Sequence, residues 1–351
     1  MTALASSALP SVAAGIRAGR VRRARRRTVA TVALVALVLV LALAMLMLGN
    51  TIYTPAEVWG VLMGRDVPGA SFTVGTLRVP RLVAGVLAGL AFGVAGSTFQ
   101  TMLRNPLASP DVIGITSGAS AAAVFALVVM HWSAGATTAL ALAVGVATAL
   151  VISFAARGGE STGGRLILIG IGVGAMLDAV VQFLVQRASE WDVSVAMRWL
   201  TGSLNGVQPD RLWPLIGGVI VVVPVILAVS RSLRALELGD ASATALGVRV
   251  GSARIVLIVA AVALACVATA TTGPIAFVAL LAGPIASRIV GPGSPAILPA
   301  GLVGACLVLA ADLIGQFAFD TAFPVGVITG IVGAPYLLFL LIRMSRNGGS
   351  S

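Results

Sequence analysis

Ten long apolar stretches decide what this chain can fold into. They fall at about 29–48, 82–103, 111–130, 134–156, 165–186, 211–230, 253–271, 275–291, 296–317 and 324–343. A helix of about 20 apolar residues crosses a bilayer. Inside lipid, only helices and closed barrels satisfy every backbone amide. These runs are nearly continuous rather than alternating, so the pattern predicts an all-α polytopic membrane protein with about ten transmembrane helices. A soluble chain carries about a quarter charged residues; this one carries 10%, and 58% of it is apolar. Its 351 residues therefore divide into a basic N-terminal tail over 1–28, one membrane domain over 29–343 and a short C-terminal tail over 344–351.

The net charge is +11, and all 23 basic residues are arginine. The run "RAGRVRRARRR" places Arg17, Arg20, Arg22, Arg23, Arg25, Arg26 and Arg27 directly before the first apolar stretch. A basic run can bind nucleic acid, but here the positive-inside rule gives the better account and keeps the tail cytoplasmic. The first apolar run exceeds the about 7–15 residues of a signal peptide and no small-x-small cleavage site follows, so it reads as an uncleaved helix. An even number of spans puts both termini on the cytoplasmic side. The loops then expected inside, near 104–110, 157–164, 231–252 and 291–295, carry Arg104, Arg157, Arg231, Arg234 and Arg249.

Little in the chain suits catalysis. Cys266 and Cys306 lie in apolar runs without a CxxC partner, and His131, beside Trp132, reads as an interfacial residue. No metal-ligand cluster, phosphate-binding glycine loop or zinc-protease motif is visible. Any energy source other than an ion gradient must come from a partner. Asp178, Gln182 and Gln186 are spaced by four and share one helical face. They line a path for a polar substrate or form a buried network between helices. Asp312 reads as a helix–helix hydrogen bond or, in an ion-driven carrier, a coupling site. Gly85, Gly89 and Gly93, and likewise Gly326 and Gly330, permit close helix approach. Tight packing and helix sliding both fit that spacing.

The apolar pattern breaks at "LRNPLASPDVIGITSGAS", residues 103–120. Asn105 and Pro106 stop one helix there, and Pro110 and Asp111 are placed to start the next. The longer polar segment, 231–252, holds "LGDASATALGV", which reads as a short helix between glycines.

The stretch "RVPRLVAGVLAGLAFGVAGSTFQTMLRNPLASPDVIGITSGAS" resembles the FecCD-type permeases, the membrane subunits of bacterial ABC importers for iron-siderophores, haem and cobalamin. "RWLTGSL", "LGDASATALGV", "GPIAFVALLAGPIASRIVG" and "FPVGVITGIVGAPYLLFLL" extend the resemblance, in family order, over nearly the whole chain from residue 30. The resemblance implies a type II ABC importer permease fold in the cytoplasmic (inner) membrane. It implies a homologous or identical second permease, two ATP-binding subunits that use the ATP, an extracytoplasmic binding protein, and no cofactor or metal on this chain. Leu238, Gly239, Asp240, Ala243, Leu246 and Gly247 match the family's ATPase coupling loop. The resemblance also implies that the turn at Arg104, Asn105 and Pro106 lies beside the ATPase, in addition to its reading as plain helix punctuation. Arg78 and Arg81 stand where the family's arginines meet acidic residues of the binding protein. By family frequency the cargo is a ferric siderophore, with haem or cobalamin as alternatives. The chain departs from the family in three places. It has Gly283 to Ser287, "GPIAS", for the family's "PHIAR", Gln316 where an arginine follows Asp312 by four, and Ala322 in place of an acid. These departures imply a specialised partner, such as the other half of a heterodimer. An ion-driven carrier and a non-transporting scaffold are the two readings outside the family.

Overall fold

The computed structural model describes residues 3–111, 114–156, 162–291 and 295–348. Two expected connections, 157–164 and 291–295, fall largely outside them. Among the described residues there are helices and turns only. Seven helices are long and apolar enough to cross a membrane, and three shorter apolar helices, Thr116–Val129, Val278–Val290 and Val325–Leu340, coincide with the other three expected runs.

Helix α1 (Ala3–Met47) continues unbroken through the arginine run into the first apolar stretch. Helix α2 (Pro55–Leu62) is short and closed by a capping box, in which Thr54 and Glu57 satisfy each other's backbone amides. A π-helical segment, Ser71–Arg78, leads into α3 (Val79–Leu103). Then come α4 (Ile115–Val124), α5 (Ala134–Ala155), α6 (Thr162–Gln186) and α7 (Glu190–Leu200). They are followed by α8 (Leu212–Ala228), α9 (Ser230–Glu237), α10 (Asp240–Ala245), α11 (Val250–Thr272), α12 (Val278–Val290), α13 (Ile297–Phe317) and α14 (Val325–Gly348).

Burial sorts these helices into two classes. The apolar windows of α3, α11 and α13 are 72%, 67% and 67% buried, whereas those of α1, α5, α6 and α8 are only 22–28% buried. Helix α3 is the hub and packs against α13, α11, α12 and α8. Its glycines explain how. A Cβ on Gly89 would lie 2.5 Å from the Gly304 carbonyl oxygen and 2.6 Å from the Ala305 Cα on α13. Gly93 and Gly96 meet the backbones of Ala300 and Ala279 in the same way. Lipid supplies no hydrophobic drive between helices, so this close backbone approach is what holds α3 in place. The second glycine pair divides: Gly326 abuts the Thr201 carbonyl, while Gly330 has nothing within 4 Å.

Some side chains close the helix ends. Arg26 of α1 donates from Nε to the Ile289 carbonyl at 3.1 Å and from Nη2 to the Arg288 carbonyl at 2.9 Å, satisfying the end of α12. Cys266 and Cys306 are buried and unpaired.

Gly89→Leu should force α3 and α13 apart and lower thermal stability in detergent by about 1–3 kcal/mol or more. Gly330→Ala should stay within about 0.5 kcal/mol of the parent. Melting of both variants against the unaltered protein checks this.

Candidate functional site

The polar groups gather at the two ends of the bundle and along one outer face. At the first end, α9 turns into α10 through Gly239, whose φ of +102° is open to glycine and strained for other residues. Gly247, at φ +81°, closes the other side, and its amide donates to the Thr244 carbonyl at 2.9 Å. Thr244 in turn donates from Oγ1 to the Asp240 carbonyl at 2.8 Å. Ala243 is fully buried and anchors the six-residue helix, while Leu238 and Leu246 on either side are 67% and 66% exposed. The module is therefore a rigid knob bearing two apolar handholds.

Asp240 ties that knob to the core. Arg254, at the start of α11, donates from Nη2 to both Asp240 carboxylate oxygens at 3.0 Å. Arg104, at the end of α3, places Nη2 3.6 Å from Oδ1. Arg104 adopts φ +51° and caps α3, and the Asn105 amide donates back to the Gln100 carbonyl at 3.1 Å. The Asn105 side chain accepts from the Leu107 amide at 2.9 Å, an Asx turn that carries the chain through Pro106. The expected stop at 104–106 is thus present, with a mechanism.

The expected start is not at Asp111. Helix α4 begins at Ile115 behind Gly114 in a left-handed conformation. Asp111 lies before the apolar part of α4, and its Oδ2 is buried without a partner among the described residues. Burial pushes its carboxyl up to about 7, with Ser109 offsetting part of the effect. With Gly114 in the cap position, Asp111 does not start the helix, and the sequence expectation for it is corrected.

A cavity of about 360 Å³ opens beside this turn, between Gln100, Arg104, Asn105, Glu237, Pro284 and Ser287. Gln100 donates to the Leu280 carbonyl at 2.9 Å, and its amide oxygen occupies the space a Cβ on Gly283 would need. Gln100 of α3 thus fills the hollow that Gly283 leaves.

At the opposite end, Arg81 grips Asp312 of α13 with its fork: Nε to Oδ2 at 2.9 Å and Nη2 to Oδ1 at 2.8 Å. Its remaining Nη1 donates to Asn205. Gln316 also donates to Asp312 Oδ2, at 2.7 Å, so the carboxylate is held from α3 and from its own helix. Asp312 is 1% exposed, which settles it as a helix–helix contact. Arg78 donates to the Leu46 and Thr51 carbonyls at 2.7 and 2.8 Å and stacks on Tyr53 at 4.9 Å. Both arginines expected to meet a docking protein thus have their forks engaged inside the chain. The sequence carries no sign of this, because Asp312 is 231 residues from Arg81.

Asp178, Gln182 and Gln186 are all exposed on the outer face of α6. Asp178 finds no hydrogen-bond partner among the described residues. A network buried within this chain is thereby excluded. His131 sits at the Arg81 end, 3.8 Å from Asp192.

A polytopic helical bundle with a tethered surface knob at one end and a polar outer stripe is the architecture of an integral membrane protein that works with partners. The sequence model of the FecCD transport family matches residues 36–343, and the chain belongs to that family. It is 40% identical over 301 residues to the ferric enterobactin transport system permease protein FepG of Escherichia coli (strain K12), covering 85% of this chain and 91% of FepG. It is 39% identical over 333 residues to the achromobactin transport system permease protein CbrC of Dickeya dadantii (strain 3937), covering 93% and 95%. The fold matches a solved ABC transporter of metal-chelate type in an inward-facing conformation, with a TM-score of 0.78 at 24% identity over 89% of this chain and 98% of that one.

Two outcomes are expected here. Removing one partner of a buried ion pair costs about 3–5 kcal/mol, whereas replacing both by apolar groups is often neutral. Arg81→Met and Asp312→Leu should each destabilise strongly, and the double variant should recover most of the loss, read by melting in a double-mutant cycle. For Asp111, the folded state holds the proton more tightly than the unfolded chain. Its contribution to stability is therefore lost as pH rises from about 4 to about 7 and is level above that. Asp111→Asn should flatten the fall in melting midpoint between pH 5 and 7.

Proposed function

We propose that this chain is the permease subunit of an ATP-driven importer that moves a metal chelate, foremost a ferric siderophore, into the cytoplasm. It does no chemistry itself. Two ATP-binding subunits supply the energy, a second permease, homologous or identical, completes the membrane part, and an extracytoplasmic binding protein delivers the cargo. The relatives described above are by name permeases of ferric enterobactin and achromobactin transport systems. The arginine bias supports an orientation with both termini and the Arg104 end inside.

The α10 knob carries this reading. A partner gripping Leu238 and Leu246 moves the knob as one body, because α10 is short, hydrogen-bonded and closed by Gly239 and Gly247. The Asp240 links to Arg254 and Arg104 pass that displacement to α11 and α3, two of the most buried helices. Access to a central path can then alternate by rigid-body motion. The exposed α6 stripe supports a paired permease. A carboxylate facing lipid costs about 2.5–3.5 kcal/mol on insertion scales. Asp178 therefore belongs against a second subunit or a watery path between the two.

Cells lacking the gene should lose uptake of radioactive iron from one member of a panel of ferric siderophores, and the intact gene should restore it. Gly247→Pro should not restore it, since proline fixes φ near about −65° and removes the amide that closes the knob. The variant should still insert in the membrane. Unchanged uptake of every siderophore would turn the cargo to haem or cobalamin. Full uptake by Gly247→Pro would sink the coupling assignment.

A further inference from the structure

At the Arg104 end, a small pocket of about 100 Å³ opens between α1, the α8–α9 junction and the start of α13. Arg27, Ser230 and Arg234 line it with polar groups, and Leu227, Pro295 and Ile297 complete it. The two arginines come from positions 27 and 234, so no single basic run explains their meeting at one pocket. Among the described residues, neither has a carboxylate within ion-pair distance. The nearest competing acid is Glu237, whose carboxyl burial pushes up and the Arg234 charge holds down in part.

The depth of the pocket says what can fill it. On α1, arginine gives way to apolar sequence immediately after Arg27. On α8, apolar sequence gives way to "SRSLR" immediately after Val229. Both helices therefore cross from hydrocarbon to headgroup level at the pocket itself. Leu227 and Leu298 are both 38% exposed beside it, and Val29 and Val32 of α1 are 61% and 62% exposed, leaving apolar surface for acyl chains. Arg20 and Arg23 share the helical face of Arg27 and extend the positive charge beyond the pocket.

We infer that this pocket is a site for the phosphate headgroup of an anionic phospholipid. Two arginines and a serine hydroxyl suit a phosphate's oxygens, and a pocket of about 100 Å³ leaves room for one. The bound lipid pins α1 to the α8–α9 junction, one short helix away from the α10 knob. The inference requires membrane embedding only and stands apart from the cargo.

Native mass spectrometry of the full-length protein, purified in mild detergent with the subunits that accompany it, tests the site. The unaltered protein should retain a phosphatidylglycerol that Arg27→Gln/Arg234→Gln loses. Arg22→Gln/Arg25→Gln removes the same charge from the opposite face of α1 and should retain it. After delipidation, dihexanoyl phosphatidylglycerol should rebind about tenfold or more weakly to the first double variant, and the matching phosphatidylcholine should not bind. If the first double variant fails to assemble, each single substitution carries the same expectation. Equal retention in all forms, or equal loss in both double variants, overturns the site. Displacement by inorganic phosphate at matched concentration would make it a free-phosphate site and overturns the lipid assignment.

Discussion

The backbone contact between α3 and α13 at Gly89 and Gly304 is the constraint on which the rest of the bundle depends. With no Cβ on either side, the two helices approach as closely as backbone allows. That approach sets the distance at which Arg81 of α3 meets Asp312 of α13 with both prongs of its fork. It also fixes the far end of α3, where Arg104 reaches the α10 knob. One helix therefore carries a polar tie at each end and is clamped by backbone contact between them. Such a strut transmits displacement without bending, as the proposed coupling requires.

The peripheral helices form a contrasting set. Helices α1, α5, α6 and α8 expose most of their apolar windows, and α6 exposes a carboxylate and two amides as well. An apolar face is content in lipid; an aspartate is not. The distribution of polarity over this outer shell thus separates lipid-facing surface from surface awaiting another protein or water.

Much of this was legible in the sequence, for identifiable reasons. Each of the ten apolar runs lies on a helix, because hydropathy over about 20 residues is a strong local signal. The knob between Gly239 and Gly247 was readable because both glycines adopt the positive φ that their residue type permits. What stayed hidden was long-range. Nothing near Arg81 announces Asp312, and nothing near Arg78 announces the carbonyls of Leu46 and Thr51. Asp111 misled for a different reason. An acid before an apolar helix resembles a cap, but the helix begins at Ile115 behind Gly114, beyond its reach as a cap. The α6 stripe left two readings open until its exposure removed the buried one.

The fit of Gln100 into the hollow left by Gly283 makes the side chain of one helix depend on the backbone of another. The two residues lie on different helices, and the amide oxygen of one fills the Cβ position of the other. Any side chain added at position 283 therefore displaces the glutamine from the rotamer that reaches the Leu280 carbonyl. In this chain the two positions form one packing unit, and a change at either is felt on both helices.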